Sequence, residues 1–125
     1  MRDCAFCSFD EAVLHNELAY ARFDRYPVSP GHLLVLTLRH VATWFEATDE
    51  ERAALLALID EGKRLLDERH APDGYNIGIN VGEAAGQTVV HLHVHLIPRY
   101  RGDVADPRGG VRGVIPQQQH YPTGG

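Results

Sequence analysis

This chain predicts an α+β domain with a largely antiparallel five-stranded sheet and one long helix. Three observations carry that expectation. Five short apolar stretches read as strands, one 20-odd-residue segment carries helical periodicity, and these elements alternate irregularly through mostly short links. With 125 residues and 44% hydrophobic content, residues 1–125 suit a single domain around one core.

The elements follow in order. Val13-Leu14-His15 and Leu18 to Phe23 read as a hairpin joined through Asn16-Glu17, and Asp24 to Gly31 is a loop turned by two prolines and a glycine. His32 to Leu38 is a run of aliphatics without clean alternation, as expected for a strand covered on both faces. The helix should begin at Thr48, where Thr48-Asp49-Glu50-Glu51 fits a capping box. Leu55, Leu58, Ile59, Leu65 and Leu66 then form one apolar stripe, Glu61, Lys63 and Arg64 a solvated face, and Pro72 and Gly74 the stop. Tyr75 to Val81 is a fourth strand, and Gly82 to Gly86 a loop.

From Val89 to Ile97 every residue is apolar or histidine. Strict alternation puts His91, His93 and His95 on one face of an extended strand and Leu92, Val94 and Leu96 on the other. The strand can thus bury an aliphatic row while presenting three imidazoles to a cleft. An unpaired imidazole is costly and a poor strand former, so three in register point to a site and not to scaffold. Histidine's ordinary pKa, about 6.5, makes both an attacking nitrogen and a proton donor accessible near neutral pH.

Composition narrows the function. A formal charge of −5 argues against broad nucleic-acid binding. The absence of a long apolar run or an apolar N-terminal core leads to the expectation of a cytoplasmic protein with no membrane association. Two cysteines, Cys4 and Cys7, have the spacing of half a zinc site; the rival reading is a redox pair, which wants a strand before it where only three residues stand. Beyond Pro98 the chain is rich in glycine and proline and carries Arg99, Arg101, Arg108 and Arg112, whose planar donors suit phosphate; a solubilising terminus is the alternative.

The segment His91-Leu92-His93-Val94-His95-Leu96-Ile97 resembles the histidine triad (HIT) family signature at every position. Likeness extends upstream through Asn80-Val81-Gly82 and Gly86-Gln87-Thr88 and covers most of the chain. The resemblance implies a HIT-like fold, an edge-to-edge homodimer, and a nucleotide as substrate. It makes His93 the nucleophile, with His95, His91 and, after the Pro30-Gly31 turn, His32 as further catalytic residues. Gly86, Gln87 and Thr88 match its phosphate-contacting segment, Asn80 an asparagine near the leaving group, and Asp24 an acidic residue used for ribose. Phe6 and Phe9 lie where members line the nucleobase pocket, although plain core aromatics would read the same. Thr37-Leu38-Arg39-His40 departs from the commoner Pro-Lys pattern, yet His40 keeps its place, completing with Cys4, Cys7 and His91 a Cys2His2 set for structural zinc.

These implications add up to a hydrolase cleaving at the α-phosphate of a dinucleoside polyphosphate such as diadenosine polyphosphate. In that reading residues 99–125 form a flexible tail that meets substrate through Arg108 and Arg112. Alternatives are an adenosine phosphoramidase of the same family, a zinc-containing nucleotide-binding protein without turnover, and a redox protein using Cys4 and Cys7.

Overall fold

The computed structural model describes residues 4–122. Strand β1 is Leu14–His15, β2 Ala19–Phe23, β3 Leu33–Thr37, β4 Gly74–Gly78 and β5 His93–Arg99, and helix α1 runs Asp49–His70. They form one sheet in the order β1-β2-β3-β5-β4. Every neighbouring pair is antiparallel.

The period-2 alternation sorts side chains onto two faces. Ala19, Ala21, Leu33, Val35, Val94 and Leu96 pack beneath α1 with Leu55, Leu58, Ile59 and Leu66, all buried. At roughly 1.5–3 kcal/mol for each large aliphatic side chain taken out of water, this layer supplies most of the driving force. Gly62 lets the helix approach closely, since a Cβ there would lie 2.8 Å from Leu33 Cδ2. The opposite face of β2 and β3 holds Tyr20, Leu34 and Leu36, covered by Phe6, Ala12 and Leu38. Strand β3 is therefore buried along its whole length, as its unbroken aliphatic run requires.

Helix α1 starts at the expected capping box: the Thr48 hydroxyl accepts from the Glu51 amide, and the Glu51 carboxylate accepts from Thr48. The same carboxylate takes two bonds from the Arg39 guanidinium, at 2.7 and 3.0 Å. Hydrogen bonding from Arg39 holds the Glu51 carboxyl below its ordinary range. Arg39, which breaks the commoner family pattern, thus braces the segment carrying His40 against the start of the helix. The helix ends with Ala71 in the left-handed region, directly before Pro72.

All five strands are shorter than the sequence suggests, and two of the differences bear on the site. The β5 ladder begins at His93, paired with Leu36, and not at Val89. The Leu92 amide donates instead to the Val41 carbonyl at 2.7 Å, and the Thr37 hydroxyl turns the end of β3 by bonding the Arg39 carbonyl. Strand β4 stops at Gly78, leaving Asn80 and Val81 in the following loop. At its other end β5 continues through Arg99, one residue into the segment read as the tail, and 3-10 turns follow at Gly110–Val114 and Pro116–Gln118. No helix among the described residues is long and apolar enough to cross a membrane.

Candidate active site

The imidazoles of β5 meet the sheet's open face, where a cleft of about 480 Å³ is lined by Phe6, Arg22, Asp24, His32, His93 and His95, with Asn80, Gly86 and Thr88 on its far wall. Backbone hydrogen bonds fix the state of each ring. His93 Nδ1 lies 2.7 Å from the His91 carbonyl, which can only accept. Nδ1 therefore carries the proton, and Nε2 keeps its lone pair on the side of the ring away from the backbone.

The neighbouring pair is fixed by a single amide. Val28 N–H donates to His32 Nδ1 at 3.1 Å, so the His32 proton sits on Nε2. That nitrogen is 2.9 Å from His95 Nδ1, which must accept and leaves an N–H at His95 Nε2. The chain of donors is directional: Val28 amide to His32, His32 to His95, His95 outward. Asp24, His32 and His95 also offer three ligand atoms within 4.8 Å of one another. Their two rings nevertheless stand with centroids 5.1 Å apart, which makes the 2.9 Å nitrogen contact head-on. That is the geometry of a hydrogen bond and not of two ligands sharing an ion.

Burial pushes the His95 imidazole down to about 4, with His93 and His32 adding to the effect. Burial likewise lowers His32, partly offset by Asp24, whose carboxylate is 3.5 Å away. Both rings are therefore neutral at neutral pH.

The loops holding these groups are stapled in place. Gly31, at φ +90°, packs so tightly on α1 that a Cβ would meet Leu66 and His70, and this sets the turn into His32. Ser29 and Tyr100 hydroxyls fasten the same loop, donating to Pro98 and Pro30 carbonyls. On the other wall Gly86 adopts φ +93°, a conformation that favours glycine. Gln87 is buried, accepting from the Gly82 amide and donating to the Ala42 and Val89 carbonyls. It shapes the loop from behind while Gly86 and Thr88 face the cleft.

His91 belongs to a second constellation. It is fully buried, and its Nε2 donates to the Thr37 carbonyl at 2.8 Å. Nδ1 is then free to bind, 3.3 Å from Cys4 Sγ and 3.5 Å from Cys7 Sγ, while His40 Nδ1 lies 3.1 Å from Cys7 Sγ. The four ligand atoms all lie within 4.8 Å of one another. Two thiols and two ring nitrogens at such separations fit tetrahedral zinc, whose ~2.0–2.3 Å bonds put neighbouring ligands about 3.3–3.8 Å apart. Both cysteines are free thiols. Burial raises the Cys7 thiol, with the Cys4 contact contributing.

Of the residues named from sequence, the cleft brings together Phe6, Asp24, His32, Asn80, Gly86, Thr88, His93 and His95. Phe9 lies elsewhere, edge-on to Tyr20 with centroids 5.1 Å apart. Arg108 pairs with Asp106, and Arg112 donates to the Gln118 and Gln119 carbonyls. Sequence reasoning missed Arg22 in the cleft wall, although the alternation Ala19, Ala21, Phe23 against Tyr20, Arg22 already set it apart from the helix face.

Fold and site together define a single-sheet α+β domain whose open face presents a tautomer-fixed histidine pair beside a Cys2His2 cluster. The HIT domain family matches residues 8–102, and the chain belongs to that family. It is 40% identical over 92 residues to a Mycobacterium tuberculosis protein named AP-4-A phosphorylase, covering 73% of this chain and 47% of that one. The chain thus spans about half the length of that curated relative. A Streptococcus mutans crystal structure superposes with a TM-score of 0.78 at 36% identity, covering 98% of this chain and 77% of that one. A zinc-bound histidine triad family protein from Mycobacterium smegmatis superposes at 0.72 with 34% identity, covering 84% and 78%.

The depressed His32 and His95 pKa values make stability depend on pH. Between the ordinary 6.5 and about 4, the unfolded chain binds protons that the folded one refuses, so stability falls as pH drops through that window. Thermal melts from pH 7 to 4 should show a smaller fall for His95→Asn than for the wild type. Parallel curves would contradict the assignment of two neutral imidazoles.

Proposed function

We propose that the protein cleaves dinucleoside polyphosphates, such as diadenosine polyphosphate, at the α-phosphate through a nucleotidyl-histidine on His93. The observation that carries this reading is the fixed pair of tautomers: a lone pair at His93 Nε2 and a proton at His95 Nε2, on adjacent rings with centroids 5.1 Å apart.

His93 Nε2 attacks the α-phosphorus, forming a P–N bond as the P–O bond to the remaining phosphates breaks. The departing polyphosphate oxygen leaves as an anion steadied by a hydrogen bond from His95 Nε2–H, which keeps its proton, and the His91 carbonyl supports the positive ring through Nδ1–H. Water then attacks the same phosphorus, the P–N bond breaks and returns the lone pair to His93 Nε2, and the water proton passes to solvent. Gly86 and Thr88 offer a backbone amide and a hydroxyl to phosphate oxygens, Asp24 accepts from ribose, and Phe6 gives the base an apolar face. The relative named a phosphorylase favours a second acceptor, inorganic phosphate, in place of water. Product analysis with and without added phosphate distinguishes them, since phosphorolysis gives a nucleoside diphosphate where hydrolysis gives a monophosphate.

Zinc is proposed for Cys4, Cys7, His40 and His91, where it would serve as a structural clip joining the N-terminal segment, the end of β3 and the entry to β5. The likeness to a zinc-bound relative supports this. The homodimer is also part of the proposal: β4 is a free sheet edge, and its Ile77 is 51% exposed. Arg108 and Arg112 would reach distal phosphates by exchanging their present partners in residues 99–125 for substrate.

His93→Ala should lower kcat by at least ~10³ while a mononucleotide product still binds, because the attacking atom alone is lost. Near-normal turnover would end the covalent reading, and binding with no turnover in the wild type would favour the nucleotide-binding alternative. Elemental analysis should find about one zinc per chain, and Cys4→Ser should lower both zinc content and melting temperature. Metal-free wild-type protein with an unchanged melting temperature would reject the clip. Truncation after Tyr100 should raise KM for a dinucleoside tetraphosphate several-fold more than for a small adenylate ester; equal effects would remove the tail from the site.

A further inference from the structure

Arg22 is the cleft residue that the mechanism leaves without a task. It is 3% exposed, yet it lines the cleft beside Phe6 and Asp24. Its guanidinium is held below the Phe6 ring, 5.4 Å from the centroid, and NH2 reaches Glu11 at 3.1 Å. The rest of the group is poorly satisfied. Among the described residues NH1 makes only a 3.5 Å contact with the Ala5 carbonyl, and the buried Nε has no partner. A guanidinium can donate five hydrogen bonds and accept none, so a charged group this buried and under-paired calls for acceptors from a ligand.

Register places that demand at one end of the nucleotide. Arg22 pairs with Leu34, and Leu34 with His95, so the three stand in one row across the open face. Two strand spacings, about 10 Å, separate Arg22 from the phosphate-handling imidazole. That is the distance from an α-phosphate to the far edge of its base. The Phe6 ring, 5.0 Å from His93 on one side and over Arg22 on the other, forms the wall between.

We infer that Arg22 selects the nucleobase, favouring bases whose edge carries a carbonyl oxygen, such as the O6 and N7 edge of guanine, over adenine. This rests on the nucleotide-cleaving reading above. A donor-only cation is matched by adjacent acceptors, and adenine sets an amino donor beside its N7. A small rotation about the Glu11 contact trades the long Ala5 contact for a base oxygen. Glu11, shared between Arg22 and Arg25, keeps the fork in place as the ligand enters.

The test is calorimetric binding of GMP, IMP, UMP and AMP to the intact zinc-loaded protein, with Arg22→Leu and Arg22→Lys variants. In the wild type the oxo-base nucleotides should bind ~10-fold more tightly than AMP, the size of one good hydrogen-bonded pair. Arg22→Leu should level the four ligands with AMP affinity held within about 3-fold, and Arg22→Lys should retain part of the preference. Wild-type protein that binds AMP as well as GMP would overturn the inference, whether or not the leucine variant folds. So would an equal loss for all four ligands and for pyrophosphate, which would make Arg22 a phosphate contact. Failure of every nucleotide to bind would instead bring down the proposed function, and this inference with it.

Discussion

The site depends on one buried imidazole. His91 gives its Nε2 proton to the Thr37 carbonyl, turns Nδ1 toward the two thiols, and through its own carbonyl takes the Nδ1 proton of His93. A displacement of His91 would lose all three relations together. Its carbonyl belongs to the peptide whose N–H, that of Leu92, donates to Val41, one residue before the β5 ladder begins. This arrangement lets one residue serve the Cys2His2 cluster and the proposed nucleophile, His93, at once: the ring does the first, the carbonyl the second. The hydrogen bond to Thr37 also explains why Nδ1 and not Nε2 is the ring atom offered to sulfur.

A second economy lies in the use of neutral donors. The chain carries a formal charge of −5 and only one lysine, Lys63, which pairs with Asp67 on the helix. A polyphosphate would meet little general attraction on such a surface. The cleft answers with oriented dipoles: an imidazole N–H at His95 and the small loop residues Gly86 and Thr88. Uncharged preorganised donors cost little to hold in place and gain strength where water is displaced. Burial of His32 and His95 suppresses the charge that would otherwise repel a third imidazole, and so keeps three rings compatible at close range.

Much of this was legible in the chain. Alternation assigned His93 and His95 to one face and Val94 and Leu96 to the other, because the pleat makes that assignment purely local. The capping box fixed the start of α1 for the same reason. What local pattern could not supply was register and competition for backbone donors. Val89 to His91 look like strand, but Leu92 N–H finds Val41 and the ladder starts later. Phe6 and Phe9 were equivalent in sequence; folding sends one to the cleft and the other to Tyr20. Gln87 matched a phosphate-contacting segment, while its amide is spent inside the loop. The tautomers of His32 and His95 were invisible because they follow from one amide, Val28 N–H, four residues from His32 in sequence but in contact only once the loop closes.

That last dependence joins the fold to the chemistry. The Val28 amide is presented by a loop pinned at Ser29 and Tyr100 to the end of β5, and β5 carries His95. The element that orients His95 is therefore braced by the strand that bears it. Helix α1 enters the same circuit through Gly31, whose tight packing on Leu66 and His70 sets the turn before His32. A change in helix packing would reach the proton on His95 through Gly31 and His32. The geometry of the proposed site is then a property of the closed loop of α1, Gly31, His32 and β5, and not of the histidine motif alone.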